Sequence, residues 1–589
     1  MNKLVVLSLL MLLLAACSGG TETAVTNPTH TPQPITQATT EATTEATATA
    51  PATAAPTHTP APTATAAPLC TTLADLQTNP DELGWWNKRV FYEIFVRSFY
   101  DSNGDGIGDL NGIIEKLDYL NDGDPSTTDD LGITGIWLMP LNASPSYHGY
   151  DVTDYYTINP DYGTIEELKT LLDEAHARDI RIIVDLVLNH TSTEHPWFQE
   201  ALSDPNSPYR DYYIFEEESP GFRSPWGSSV WHTAPGGGYY YGVFWSGMPD
   251  LNYTNPQVTA DMQDVIRFWL EDVGVDGFRL DAIKHLIEDG RIQENTPATH
   301  EWWQGFYDYY TNINPDAFTV GEAWSATSEV VKYIGDEVNI AFEFDLAGSM
   351  IQTAKREASQ FIIDDMTAIV QNFPPQQYGT FLTNHDQDRV MSQLLGEGGQ
   401  AKSAASLLLT SPGVPFLYYG EEIGQRGRKP DEEIRAPMPW SGEAGGGFTT
   451  AVSPWQPFPS GFENINVAAA TADPDSLLNH YRRLIQARNQ NEALRLGDWQ
   501  EMPTNNGKLY AFLRRTANQT LLVLINLGEE PITDYRFCLD DGGLSEGTAV
   551  EILKNSPTNA PTLTASGGFE AYTPIAKLEP YSTYIIELK

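Results

Sequence analysis

The chain of 589 residues carries 79 Asp and Glu against 34 Lys and Arg, a formal net charge of −45. That balance argues against nucleic acid and anionic membrane surfaces as partners and favours a neutral or cationic ligand. The length suits one large core with accessory domains, and the 14 Trp and 28 Tyr serve either a core or the stacking of sugars.

The first element is a targeting segment, residues 1–17. Lys3 precedes an apolar run from Leu4 to Leu14, too short to span a bilayer and of the length of a signal h-region. Leu14-Ala15-Ala16-Cys17 resembles a bacterial lipobox, which implies cleavage and a lipidated Cys17; a plain secretory signal is the alternative. From 18 to about 68 the chain is Thr, Ala and Pro with hardly a large apolar side chain. Such a stretch buries too little to offset the entropy of folding, so 18–80 is expected to be an extended tether. The protein is thus expected to be exported and bacterial, held at the cell surface or on a periplasm-facing membrane by its lipid alone. Cys70 and Cys538 remain, and their pairing is left open because Cys70 sits at the tether's end.

Val90–Val96 reads as a first strand. It runs into Asp101-Ser-Asn103-Gly-Asp105-Gly-Ile107-Gly-Asp109, where hard oxygens alternate with glycines as at the start of an EF-hand loop. The ligand set for Ca²⁺ would be Asp101, Asn103, Asp105, Ile107 and Asp109, although the twelfth position is Gly112 rather than a closing Glu. A chain of Asx turns capping the next helix is the alternative. Gly135–Pro140 is a second strand, and Thr164 with Glu167 forms a capping box for a helix whose inner face is Ile165, Leu168, Leu171, Leu172 and Ala175. Arg181–His190 is a third strand with a polar end. Residues 191–254, rich in Pro, Gly, Trp and Tyr, read as an inserted, loop-rich subdomain, and Asn255-Pro256 opens the helix that follows.

That helix delivers the chain to Gly277-Phe-Arg279-Leu-Asp281-Ala-Ile-Lys284-His285. Arg279 and Asp281 share one strand face, as a structural ion pair or as a carboxylate held for chemistry. Strands at Phe318–Glu322, Ile340–Asp345, Thr380–Asp386 and Val414–Gly420 bring the count to eight, alternating with helices. This predicts an α/β chain: a (β/α)8 TIM barrel in two parts, 81–190 and 255–500, with the insert after strand 3 and its site at the C-terminal strand ends. Short strands from about 505 onward predict an antiparallel β-sandwich over 501–589.

Five stretches resemble the sequence regions of the α-amylase family, glycoside hydrolase family 13. They are Asp185–His190, Met248-Pro-Asp250-Leu-Asn252, Gly277–His285, Gly321-Glu322-Ala-Trp324 and Thr383-Asn384-His385-Asp386, in the family's order. The resemblance covers residues 85–589 and implies a retaining mechanism, with two carboxyls roughly 5–5.5 Å apart. It implies Asp281 as nucleophile, Glu322 as acid/base and Asp386 as the carboxylate that stabilises the oxocarbenium-like ring. Arg279 is implied to keep Asp281 ionised, and Asp185 to hold the arginine. His190 and His385 are implied to bond sugar hydroxyls, His148 and Tyr150 to meet the same sugar, and Lys284 and His285 to face the aglycone. Asn189 stands where a second Ca²⁺ often binds between barrel and insert.

The Met248–Asn252 segment is similar to the branch intermediate between oligo-1,6-glucosidases and neopullulanases. Exo-acting relatives carry an Asp two residues before the Gly-Tyr-Asp, and here that residue is Tyr147. The expectation is therefore an endo-acting α-amylase on α-1,4-glucans, a monomer. An exo α-glucosidase, oligo-1,6-glucosidase or neopullulanase-like enzyme is the nearest rival. A non-catalytic glucan-binding lipoprotein is disfavoured because all three carboxylates are present.

Overall fold

The computed structural model describes residues 70–589, so Cys17 and most of the tether lie outside the described residues. Eight strands close a parallel barrel: β1 (Phe91–Ile94), β2 (Gly135–Leu138), β3 (Arg181–Leu186), β4 (Gly277–Leu280), β5 (Phe318–Gly321), β6 (Ile340–Phe342), β7 (Tyr378–Thr380) and β8 (Val414–Tyr418). All eight fall within or beside the predicted runs but end sooner. β3 stops before Asn189 and His190, and β7 lies upstream of the expected Thr380–Asp386. Gly379 disguised β7, since glycine reads as a strand breaker. Here it is accommodated because a Cβ would come within 3.1 Å of Phe342 and 3.3 Å of Phe416. The polar residues beyond each ladder leave the sheet and turn over the barrel mouth.

Gly277 has a stricter reason to be glycine. Its φ is 152°, and a Cβ would meet the Phe318 carbonyl oxygen of β5 at 1.9 Å. The barrel interior is filled by Phe91, Trp137, Ile183, Phe318, Val320, Phe342 and Phe416, with Phe91 stacked on Phe416 at 4.7 Å. Trp85 and Trp86 pack under it, Trp86 stacking on Phe318 at 5.1 Å. Aromatic packing therefore fills the N-terminal end of the barrel and leaves the C-terminal end for a site.

The capping box at Thr164 forms as expected, starting the helix Ile165–Ala177, and Asn255 caps Pro256–Arg267 through the Gln257 N–H. The insert is more ordered than its composition suggested. It holds a helix, Pro196–Ser203, and a three-stranded antiparallel sheet of Phe215–Glu216, Tyr239–Tyr241 and Trp231–Thr233. Strands of two or three residues are too short for an alternation to register.

The C-terminal domain is two sheets, one of five strands and one of three. Leu509, Leu522 and Tyr584 of the first pack with Phe537, Leu539 and Phe569 of the second, which makes the expected sandwich. The smaller sheet corrects the tether boundary at 80. Cys70–Thr71 pairs in parallel with Phe537–Leu539, Cys70 is disulfide-bonded to Cys538, and the Ala74 and Thr78 amides donate to Gln500 and Asp498. Backbone pairing and a covalent link, with Leu73 packed against the sandwich core, hold residues 70–80, and so few apolar side chains left little hydropathy signal. Among the described residues no helix is long and apolar enough to cross a membrane.

Candidate active site

Asp281 follows β4, Glu322 follows β5, and Asp386 lies six residues past β7. All three line a cavity of about 560 Å³ at the C-terminal end of the barrel. His148, Tyr150, His190, Lys284 and His285 line it too.

Arg279 organises the floor. Its guanidinium is fully buried and donates to Asp185 at 2.8 and 2.9 Å, to Asp281 at 2.8 Å, to Glu322 at 2.5 Å and to the Tyr150 hydroxyl at 3.2 Å. A buried cation needs such partners, since an uncompensated charge in the interior costs several kcal/mol. Asp185 takes two of these bonds and has no exposed side-chain surface, so it anchors the arginine. The turn after the nucleophile candidate is strained. Ala282 sits at φ 48°, ψ 39°, left-handed for a residue with a Cβ, and its N–H points to Glu322 at 3.3 Å. Outliers of this kind persist where the surroundings over-determine the backbone.

The carboxyls are driven apart in acidity. Burial pushes Asp281 up to about 6; Arg279 opposes this, while Asp185 and Asp386 reinforce it. Burial likewise raises Glu322 against the pull of Arg279. Burial would raise Asp386 too, but His385, Arg435 and Lys429 overcome it and hold it well below the usual range. Asp386 is thus kept charged, while Asp281 and Glu322 both retain a proton more readily than a free carboxyl.

His385, a predicted sugar contact, lies elsewhere, as does Arg279. His385 and Arg279 do not line the cavity, and both are fully buried beneath it. The His385 Nε2 meets the Tyr150 hydroxyl at 2.7 Å and Asp386 at 3.2 Å, and its Nδ1 meets Glu93 at 2.5 Å. With carboxylates on both sides, its proton is held to about pH 9 despite burial. His190 is the opposite case: burial lowers it to about 3, so it is neutral, with Nε2 on the Tyr150 carbonyl at 3.2 Å. Lys284 donates to the Trp324 carbonyl at 2.7 Å and pairs with Glu294 at 2.8 Å.

Sequence reading missed several participants. Glu93 announced itself only as a charge inside an apolar strand. Arg435, which donates to Asp386 at 2.9 Å and lines the cavity beside Asp431, comes from the loop past β8 and left no signal. Trp226, Phe244, Trp245 and Trp324 form an aromatic flank to the cavity, with Trp324 stacked on Phe344 at 4.6 Å. The insert's richness in aromatics was the available clue.

The donor chemistry of 101–109 suits a hard cation, but the loop is closed by its own amides. Asp101 accepts from Gly104 and Gly106 at 2.7 and 2.8 Å, Asn103 from Asp105, Asp105 from Ile107, and Asp109 from Ser102 and Gly112. Among the described residues these carboxylates do not gather within 4.8 Å as a set. At the second position, Asn189 Oδ1 is buried without a hydrogen-bond partner, and so is Oδ2 of Asp250, which bridges to the adjacent His190. Two orphaned oxygens at the barrel–insert junction fit part of a cation's shell.

Comparisons agree with this geometry. Residues 93–497 match the family "Alpha amylase, catalytic domain". Alpha-amylase 3 of Dictyoglomus thermophilum is 41% identical over 449 residues, 75% of this chain and 85% of its own. An oligo-1,6-glucosidase of Parageobacillus thermoglucosidasius is 33% identical over 523 residues, 76% of this chain and 91% of its own. The crystal structure of an alpha-amylase from H. orenii superposes with a TM-score of 0.74 at 41% identity, covering 85% of this chain and 99% of that one.

Proposed function

The chain belongs to the α-amylase family of glycoside hydrolases, and from that membership we propose that it cleaves α-1,4-glucosidic bonds of starch and maltooligosaccharides, with retention and inside the glucan chain. The observation that carries the reading is the single Arg279 guanidinium holding both Asp281 and Glu322 at the cavity floor. Asp281 attacks the anomeric carbon while Glu322 gives its proton to the departing glycosidic oxygen. Glu322, now a carboxylate, takes a proton from water, which displaces Asp281 and restores both groups. Asp386, kept ionised by His385 and Arg435, stabilises the positive charge that develops on the ring in the transition state of each step.

Internal cleavage is supported by Tyr147. It occupies the position of the exo clamp, but it stacks on Trp455 at 5.5 Å and does not line the cavity. The aromatic flank of Trp226, Phe244, Trp245 and Trp324 gives further glucosyl units a surface to stack on. An exo-acting enzyme is the second reading, favoured by Arg435 and Asp431, polar cavity groups able to grip a chain end. We keep Ca²⁺ as a structural ion of the 101–109 loop, with a second ion at Asn189, and lipid anchoring through Cys17 at an outer surface.

The test is a maltooligosaccharide blocked at its non-reducing end. Internal cleavage releases reducing sugar from it at a rate close to that of the free oligosaccharide. An intact blocked substrate beside a digested free one rejects the endo reading and leaves the exo one.

A further inference from the structure

In a chain with 79 acidic residues and 34 basic ones, three cations converge on one cleft away from the catalytic cavity. Lys402, Arg483 and Lys554 line it, and no residue is shared with the cavity that holds Asp281. Among the described residues none of the three forms an ion pair. Lys402 donates to the Asp475 carbonyl at 2.5 Å, Arg483 to the Pro474 carbonyl at 3.1 Å, and the Lys554 ammonium lies 5.1 Å from the Tyr584 ring centre. Their direct partners are neutral, although Asp475 acts at longer range on Arg483 and Lys554, and Glu551 on Lys554.

Two carboxylates lie near the three cations without pairing directly with any of them. Glu551, 1% exposed, accepts from the Leu553, Lys554 and Ser556 amides at 2.9 Å. Asp475 is the one carboxylate in the cleft wall. The backbone adds to the positive field. Gly398 and Gly399 begin the helix Gly398–Thr410, which has no side-chain cap, and Leu477 begins the helix Leu477–Gln490; all three line the cleft. The first turns of two long helices thus present amide N–H groups and the positive ends of their dipoles. His480, 4% exposed in the same wall, feels this field. Burial lowers it to about 3, with Arg483, Lys402 and Lys554 pressing in the same direction.

We propose that this cleft, between the barrel and the C-terminal sandwich, binds a phosphate group. Three cations and two helix N-termini suit a compact, multiply charged oxyanion better than a single carboxylate, because each oxygen can accept from a separate donor. Such a group would bridge Lys402 and Arg483 of the barrel helices to Lys554 of the sandwich and tie the two domains together. The phosphate could arrive free or as the headgroup of a lipid, and the experiment separates these sources.

The full chain is titrated with inorganic phosphate and with glycerol phosphate against chloride at matched ionic strength, by calorimetry and by melting temperature. The expected result is saturable binding and a raised melting temperature, with the midpoint weakened about tenfold or more in Lys554→Met/Arg483→Gln. Lys402→Met is the second variant and weakens binding in the same direction. Without phosphate the variants melt no lower than wild type, since like-charge repulsion has been relieved. In a parallel arm, sedimentation with vesicles containing phosphatidylglycerol is compared with phosphatidylcholine alone. Glycerol phosphate binding without vesicle binding identifies a soluble phosphate. Vesicle binding lost in the same variants identifies a lipid headgroup. Phosphate acting no differently from chloride, with vesicle binding absent or unchanged in the variants, overturns the site.

Discussion

Glu93 accepts the Nδ1 proton of His385 at 2.5 Å, with both side chains out of contact with solvent. The contact makes a residue of the first barrel strand part of the catalytic electrostatics, because His385 in turn holds Asp386 ionised. Replacing Glu93 by Gln keeps the shape and removes the charge. The expected outcome is a fall in kcat of about tenfold and an alkaline limb moved acidward by about one pH unit. The His385 proton is held to about 9 in the fold against an ordinary 6.5. Its contribution to stability is therefore complete below pH 6.5 and lost as pH rises through 9. The gap in melting temperature between wild type and Glu93→Gln should be widest below pH 6.5 and close above 9. An unmoved alkaline limb would reduce Glu93 to packing.

Asp281 must be ionised to attack, and burial pushes it up to about 6. Below that pH kcat/KM should fall about tenfold per unit. The same shift makes ionised Asp281 a liability to the fold. The folded state keeps a proton that the unfolded chain releases near 3.8, so stability is lost as pH rises from there to about 6. Asp281→Asn should be inactive and more stable than wild type above pH 6, by on the order of 2 kcal/mol, with little difference at pH 4. Chemical denaturation at both pH values reads this directly.

Glu322→Gln leaves an acceptor for Arg279 but no proton for the leaving oxygen. Hydrolysis of maltooligosaccharides should drop by about 10²–10⁴ while glucan affinity stays within about threefold. Aryl glycosides with a good leaving group should recover much of the first step, because they need no protonation. Unchanged hydrolysis of maltooligosaccharides would remove Glu322 from the mechanism.

Chelation tests the loop at 101–109. If Ca²⁺ binds there, EDTA should lower the melting temperature and Ca²⁺ should restore it; the stabilisation is about 2.7 kcal/mol at a hundredfold excess over Kd. Asp101→Ala destabilises in either case, since Asp101 caps two amides and accepts from Thr449. The informative reading is whether that variant loses the difference between the two conditions. A melting temperature indifferent to EDTA in the wild type assigns the loop to its Asx turns alone.

The barrel was readable because parallel strands buried on both sides leave apolar runs, such as Val414–Tyr418, and because glycines and caps punctuate them. Asp281 and Glu322 stand directly past their strands, and the roles expected of them and of Asp386 came from the family resemblance. What failed to register depends on contacts distant in sequence. His385 has the look of a sugar ligand in Thr383–Asp386, and only the packing of Glu93 and Tyr150 around it shows that it works from behind. Arg435 and Asp431 bound a single helical turn, Asp431–Ile434, too short for side-chain periodicity to register. Lys402, Arg483 and Lys554 are separated by 81 and 71 positions, and nothing in their surroundings marks them as neighbours. Cys70 was obscured by the composition of the segment before it.

The parallel pairing of Cys70–Thr71 with Phe537–Leu539 spans 468 residues of chain. A ribosome takes roughly 20–90 s to cover that interval. Residues 70 and 71 must wait through the synthesis of the whole barrel before their partner strand exists. A fragment beginning at 501 would lack one strand of its smaller sheet, and a chain stopped after the barrel would leave residues 70–80 without a surface to rest on. The sandwich is therefore completed by both ends of the described chain, and gene truncations meant to isolate either domain should carry residues 70–80 with the C-terminal one.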